Sequence, residues 1–131
     1  MVSIDLPRER SSAAGARRFV RDATASWGLS AEEIADLELL ASELVTNAVL
    51  HARSTSRLTL EQRADRVRVT VADESIAPPR RRDYGSDAVT GRGMLLVDRL
   101  AHEWGVDVDS DGGKRVWFEV VLSDSTERLS R

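Results

Sequence analysis

Cysteine is absent from the 131 residues, which excludes disulfides, thiol catalysis and thiolate–metal sites. Histidine is scarce: His51 and His102 are the only two, too few to build a typical zinc site unaided. No apolar run approaches the length of a membrane span, and Met1 to Pro7 lacks the apolar stretch of a signal peptide. A cytoplasmic protein without a membrane partner is therefore the expectation. A surplus of positive charge is also missing. The 19 Lys and Arg against 22 Asp and Glu leave a net charge of -3, which speaks against a dedicated nucleic-acid binder. What remains is the ordinary composition of a soluble globular domain, 41% hydrophobic and 31% charged, with enough chain for one core and not for two.

Periodicity supplies the elements. Val2 to Leu6 alternates and reads as a short edge strand ending at Pro7. Ala16, Phe19, Val20, Ala23 and Trp27 form one helical stripe from Ser11 or Ser12 onward, with Gly28 placed as a C-cap. Ser30-Ala31-Glu32-Glu33 reads as a capping box opening a second helix that runs to about Leu50 or Ala52. Leu58 and Leu60, then Val67, Val69 and Val71, alternate with polar residues around Ala64-Asp65, the pattern of an antiparallel hairpin with one buried face. Regular patterning stops between Glu74 and about Gly91, where Pro78-Pro79 and Arg80-Arg81-Arg82 mark a long loop. Gly91-Arg92-Gly93 opens a third helix through about Ala101, with Val97, Leu100 and Ala101 as core contacts. Val106 and Val108 continue as a strand, Asp109 to Gly113 is a turn cluster, and Lys114 to Leu122 is the last strand. The order predicts an α+β two-layer sandwich, helices on one face of a mostly antiparallel sheet. It forms a single domain over residues 1–122, followed by a polar tail at 123–131.

The second helix carries more than one apolar face. Ile34, Leu37, Ala41, Leu44, Val45 and Ala48 make the core stripe, yet Leu39, Leu40 and Leu50 fall opposite it together with Glu43 and Asn47. A helix patterned this way is covered on both sides, by protein or by a ligand. Glu43 and Asn47 are one turn apart and offer a carboxylate and a carboxamide oxygen, donors suited to a hard cation such as Mg²⁺ that shares phosphate ligands. An exposed rim with a Glu–Asn hydrogen bond is the plainer meaning of the same pair. Asp73, at a strand end, suits an exocyclic amine or a simple turn. Gly91-Arg92-Gly93 suits phosphate at a helix start, although glycines before helices are common. Arg80 to Arg82 suit either phosphate or solvent. Lys114 has the reach for a phosphate, but lysines at hairpin ends usually face solvent. Trp104 and Trp117 read as core residues, and His51 as a pocket-edge or structural histidine.

Taken in order, Glu43-Leu44-Val45-Thr46-Asn47-Ala48, Val71-Ala72-Asp73 and Thr90-Gly91-Arg92-Gly93-Met94-Leu95-Leu96-Val97 resemble the N, G1 and G2 boxes of the GHKL ATPases, the superfamily of gyrases, histidine kinases and MutL proteins. The nearest likeness is to the small anti-sigma-factor serine kinases. These are similar also in the Ala16-Arg17-Arg18-Phe19-Val20 helix, in Trp104-Gly105 and in Gly113-Lys114-Arg115-Val116-Trp117-Phe118-Glu119. The resemblance spans about residues 8 to 122 and implies a Bergerat-type ATP-binding fold with ATP and Mg²⁺ as cofactors. It implies Asn47 as metal ligand, Glu43 as general base, Asp73 on the adenine amino group, and Gly91, Arg92 and Gly93 as phosphate contacts; Met94 beside them and Lys114, by its reach, are the further candidate nucleotide contacts. Residues of about 74–92 would be the ATP lid.

The implied activity is a serine/threonine-protein kinase that sequesters a sigma factor, phosphorylates an anti-anti-sigma (STAS-type) protein and forms a homodimer through its first helix and edge strand. A nucleotide-responsive binding module without turnover is the alternative. It is motivated by Glu74-Ser75-Ile76-Ala77-Pro78, which follows Asp73 where much of the superfamily has Asp-x-Gly-x-Gly. A Ser-then-Pro version resembles one sub-branch of the small kinases. No phosphoacceptor-histidine helix precedes the boxes and no transducer domain follows them, so neither a histidine kinase proper nor a gyrase-type ATPase is expected.

Overall fold

The structure, a computed structural model, describes residues 1–51, 55–73, 100–108 and 113–122. Along the chain lie β1 (Val2–Leu6), α1 (Ser11–Thr24), α2 (Ala31–His51), β2 (Ser56–Arg63), β3 (Arg66–Asp73), β4 (Glu103–Val108) and β5 (Lys114–Val121). The strands form one sheet in the order β1-β2-β3-β5-β4, and every neighbouring pair is antiparallel. Both described helices lie on the apolar face of the sheet, as the α+β sandwich requires. The expected third helix falls largely outside the described residues; Leu100 and Ala101, at its expected end, pack on the core.

Local chemistry accounts for the boundaries. Ser30 and Glu33 close the capping box in both directions: the Ser30 amide donates to Glu33 Oε1 at 2.8 Å, and the Glu33 amide donates to Ser30 Oγ at 3.0 Å. Two of the four orphan amides at the start of α2 are satisfied in this way. α1 ends at Thr24, four residues before Gly28. There the Thr24 hydroxyl donates to the Val20 carbonyl at 2.7 Å, and the Trp27 amide reaches the Thr24 carbonyl at 3.0 Å. Gly28, with φ of 76°, closes the turn after the helix rather than capping it, a conformation glycine adopts at little cost. β2 and β3 meet at the two-residue connection Ala64-Asp65, with Arg63 opposite Arg66.

The core is assembled in rungs. Across the three central strands, Leu60, Val69 and Phe118 stand in register, and Leu58, Val71 and Val116 form the next rung. All six are buried. Leu37, Leu40, Ala41, Leu44, Val45 and Ala48 of α2 and Ala16 and Val20 of α1 complete the cluster. Each large side chain removed from water contributes about 1.5–3 kcal/mol. Leu40 thus belongs to the core, not to the second face where the helical projection puts it. The angular gap between Leu37 and Leu40 is small enough for α1 and the sheet to cover both. Leu39 and Leu50 remain on that second face, and Leu50 is 50% exposed.

Candidate functional site

Two elements present the polar residues in question. On α2, Glu43 is half-buried, while Asn47, one turn further, is only 4% exposed. The Asn47 Nδ2 is buried with no hydrogen-bond partner. An amide left in this state costs about 1–3 kcal/mol relative to a satisfied one, so a folded chain that retains it invites a function for the site. Nearby hydroxyls are already engaged: Thr46 donates to the Ser42 carbonyl at 2.7 Å, and Ser42 to the Leu39 carbonyl at 2.8 Å. The second face of α2 is therefore a real feature, in which one carboxylate and one unsatisfied carboxamide sit beside exposed leucines.

The sheet supplies the other part. Following its apolar rungs, the next residues in register are Ser56, Asp73 and Lys114. These three point to the same face as the core and are 4%, 7% and 3% exposed. The helix-facing side of the sheet thus turns polar at one end without becoming solvent-exposed. A hollow at this end of the sheet is lined by Ser56 and Asp73 from the inner face, by Asp5, Arg57 and Ala72 from the outer face, and by Thr55. Lys114 is consequently buried, contrary to the solvent-facing position usual for a hairpin-end lysine. Period-two alternation with Val116 and Phe118 carries it inward. Ser56 was not among the expected site residues, although its spacing from Leu58 and Leu60 puts it on the buried face.

Gly91, Arg92, Gly93 and Met94, the expected lid, Arg80 to Arg82 and the side chain of His51 lie outside the described residues. Asp73 and Lys114 are brought together on adjoining strands, and α2, which carries Glu43 and Asn47, packs over β2 and β3.

The opposite face of the sheet holds an ion cluster that sequence reasoning did not anticipate. Glu119 accepts from Arg66 Nη1 at 2.9 Å and from Arg68 Nε at 2.8 Å, with Arg63 at 3.8 Å. Burial pushes the Glu119 carboxyl up, but the hydrogen bonds and charges of Arg66 and Arg68 together outweigh it and hold the pKa below the ordinary value. The Arg68 guanidinium stacks 4.0 Å from the centre of the Trp117 ring. Trp117 is therefore not a core residue: it shares the outer face with Arg115 and Glu119, because Val116 and Phe118 take the inner positions. Trp104 does pack against the core.

The donor set fits a cation shared with phosphate. Among the described residues no group of three or more His, Cys, Asp or Glu is arranged to hold a metal ion. An Asn47 carboxamide near a single carboxylate would leave most ligand positions to phosphate oxygens and water, the habit of Mg²⁺.

Comparison with curated proteins gave no match. Among solved structures, the fold is shared with the RsbU and RsbW domains of a Mycobacterium tuberculosis protein at 21% identity and a TM-score of 0.64, over 93% of this chain and 33% of that one. It is shared with a chain of the SiaB–SiaC complex from Pseudomonas aeruginosa at 13% identity and a TM-score of 0.67, over 92% and 89%. A histidine kinase domain from an Erythrobacter litoralis blue-light activated histidine kinase is similar at 21% identity and a TM-score of 0.60, over 95% and 65%. At these identities the likeness is one of fold. Residues 6–120 match the family described as the histidine kinase-like ATPase domain, nearly the whole described sheet and both helices, and the chain belongs to that family.

Proposed function

We propose that this chain binds ATP with Mg²⁺ and transfers the γ-phosphoryl group to a serine or threonine of a partner protein, acting as an anti-sigma regulator. The observation that carries the reading is the buried Asn47 side chain one turn from Glu43, whose unpartnered Nδ2 is a donor suited to a phosphate oxygen, in a chain of an ATPase-domain family. Asn47 would contribute a carboxamide oxygen to Mg²⁺, whose role when bound is to neutralise phosphate charge. Asp73 would accept from the adenine amino group. Gly91, Arg92, Gly93 and Met94 would serve the phosphates, with residues of about 74–92 as lid.

Glu43 suits the base. It is accessible where Asn47 is not, and a substrate hydroxyl within hydrogen-bond reach would be oriented by its carboxylate. The hydroxyl oxygen attacks the γ-phosphorus, its proton passes to Glu43, and the bond to the β,γ-bridging oxygen breaks to release ADP. A partner-binding role is supported by the SiaB–SiaC complex among the structural relatives. The sigma factor, the STAS-type substrate and homodimerisation through α1 and the edge strand β1 are parts of the same proposal. Among the described residues no helix is long and apolar enough to cross a membrane.

The Glu74-Ser75-Ile76-Ala77-Pro78 segment, without the glycines common after this aspartate, favours a second reading: nucleotide-responsive binding of a partner without turnover. Labelled ATP, Mg²⁺ and a candidate STAS-type protein separate the two. The kinase reading expects phosphate on the partner with wild type and a loss of at least about 100-fold with Glu43→Ala. Equal background transfer by both proteins leaves only the binding module.

A further inference from the structure

The end rung of the central strands has a composition unlike the rest of the core face. Asp73 and Lys114 are direct cross-strand neighbours, both buried on the helix-facing side. Directly opposed residues have Cβ atoms about 4.5–5.5 Å apart, so a carboxylate and an ammonium emerge side by side from the sheet. Burying either charge is costly without a counter-charge and hydrogen bonds. Placed together they offset one another and present an acceptor next to a donor.

We propose that Lys114 is a specificity-determining residue that donates a hydrogen bond to adenine N1 while Asp73 accepts from the N6 amino group. The inference rests on the nucleotide-site reading above and reassigns Lys114 from phosphate to base. Three features of the geometry support it. Lys114 is in register with Asp73 rather than at an exposed tip. The rung directly follows the apolar rung of Val71 and Val116, so the polar pair stands at the border of the core. The order acceptor–donor also matches the Watson–Crick edge of adenine, where an amino donor adjoins a ring-nitrogen acceptor. Guanine reverses both groups, placing O6 against a carboxylate and N1–H against an ammonium. Asp73 alone rejects O6; Asp73 with Lys114 rejects guanine at two positions. A polar site whose partners are left unpaired discriminates far more strongly than an apolar one.

The test uses the full chain and four nucleotides: ATP, GTP, 1-deaza-ATP, in which N1 is replaced by C–H, and purine riboside triphosphate, which lacks the N6 amino group. Binding is measured by titration calorimetry with Mg²⁺ present. Wild type should bind 1-deaza-ATP about 10- to 100-fold more weakly than ATP, the range for a hydrogen bond to a charged donor. In Lys114→Met the affinity for ATP should fall to nearly that for 1-deaza-ATP, with the penalty for purine riboside triphosphate retained. Equal wild-type affinity for ATP and 1-deaza-ATP overturns the role of Lys114 and leaves the nucleotide site standing. A 1-deaza penalty that persists undiminished in Lys114→Met overturns it as well. Absence of any ATP binding to wild type overturns the nucleotide-site reading itself. The wild-type comparison needs no variant, so misfolding of Lys114→Met would not shield the proposal.

Discussion

Asn47 lies one turn beyond Glu43 on α2, and the two differ in what surrounds them. The Asn47 amide nitrogen is buried without a partner, whereas Glu43 keeps part of its surface open. An N–H donor in that state is a debt of stability that a ligand's acceptor, such as a phosphate oxygen, can relieve. A half-open carboxylate beside it is placed to meet a group arriving from solvent.

This relationship predicts opposite effects of Asn47→Ala with and without nucleotide. Without nucleotide the variant should be as stable as wild type or more so by about 1 kcal/mol, because removing an unsatisfied buried polar group is neutral or favourable. With Mg²⁺ and ATP the wild type should gain a rise in melting temperature that the variant lacks, since a ligand stabilises the state it binds. Thermal unfolding in both conditions measures the pair. A nucleotide-free variant destabilised by more than about 2 kcal/mol would place the amide in a structural role.

Acid should loosen the outer face of the sheet through Glu119. Its folded-state pKa lies below the ordinary glutamate value because Arg66 and Arg68 together overcome the effect of burial. A carboxyl with a depressed pKa contributes stability above its unfolded pKa and loses it as pH falls through the folded one. Stability should therefore decline as pH drops below the ordinary glutamate range. Glu119→Gln should flatten that decline and cost about 1–3 kcal/mol near neutrality. Urea denaturation at several pH values reads both; an unchanged acid limb in the variant would assign the decline to other carboxylates.

Gly105→Ala should disturb Trp117. A Cβ at position 105 would come within 2.8 Å of the Trp117 ring, closer than real contacts allow, and an indole cannot yield as a flexible side-chain tip does. The cost should be about 1–3 kcal/mol, typical of overpacking, with a changed tryptophan emission as the stacking of Arg68 is lost. A variant with native emission and native stability would show that β4 shifts to make room.

Ser30→Ala removes the hydroxyl that accepts from the Glu33 amide at 3.0 Å. Loss of this N-cap should cost about 1 kcal/mol, measurable by chemical denaturation. A matching loss for Glu33→Ala would show that both halves of the box act, whereas no effect in either would leave the start of α2 to packing alone.

Elements governed by neighbours in sequence were legible from the chain. The capping box at Ser30, the turn at Ala64-Asp65 and the alternation through Val67, Val69 and Val71 each depend on residues a few positions apart, and each forms as its spacing predicts. What depends on distant strands was not legible. The insertion of β5 between β3 and β4 brings Lys114 beside Asp73 and sets Trp117 against Arg68, two contacts that no local pattern encodes. Leu40 was misplaced for a related reason: a helical projection gives an angle, while α1 and the sheet decide how wide an arc is covered. The site was half-legible. Glu43 and Asn47 stood out as polar residues on an over-apolar helix, and alternation alone puts Ser56, Asp73 and Lys114 on the buried face, but their meeting in one rung needed the sheet order.

The central claim is that the Asn47 face of α2 completes a site for ATP and Mg²⁺. The most direct measurement is the ATP dissociation constant with Mg²⁺ and with chelator, for wild type and Asn47→Ala. Wild type should bind at least about tenfold more tightly when Mg²⁺ is present, and Asn47→Ala should bind equally weakly in both conditions, since one charge-assisted contact is worth about 1.5–3 kcal/mol. Equal affinities in all four measurements, or an undiminished Mg²⁺ effect in Asn47→Ala, would contradict the claim.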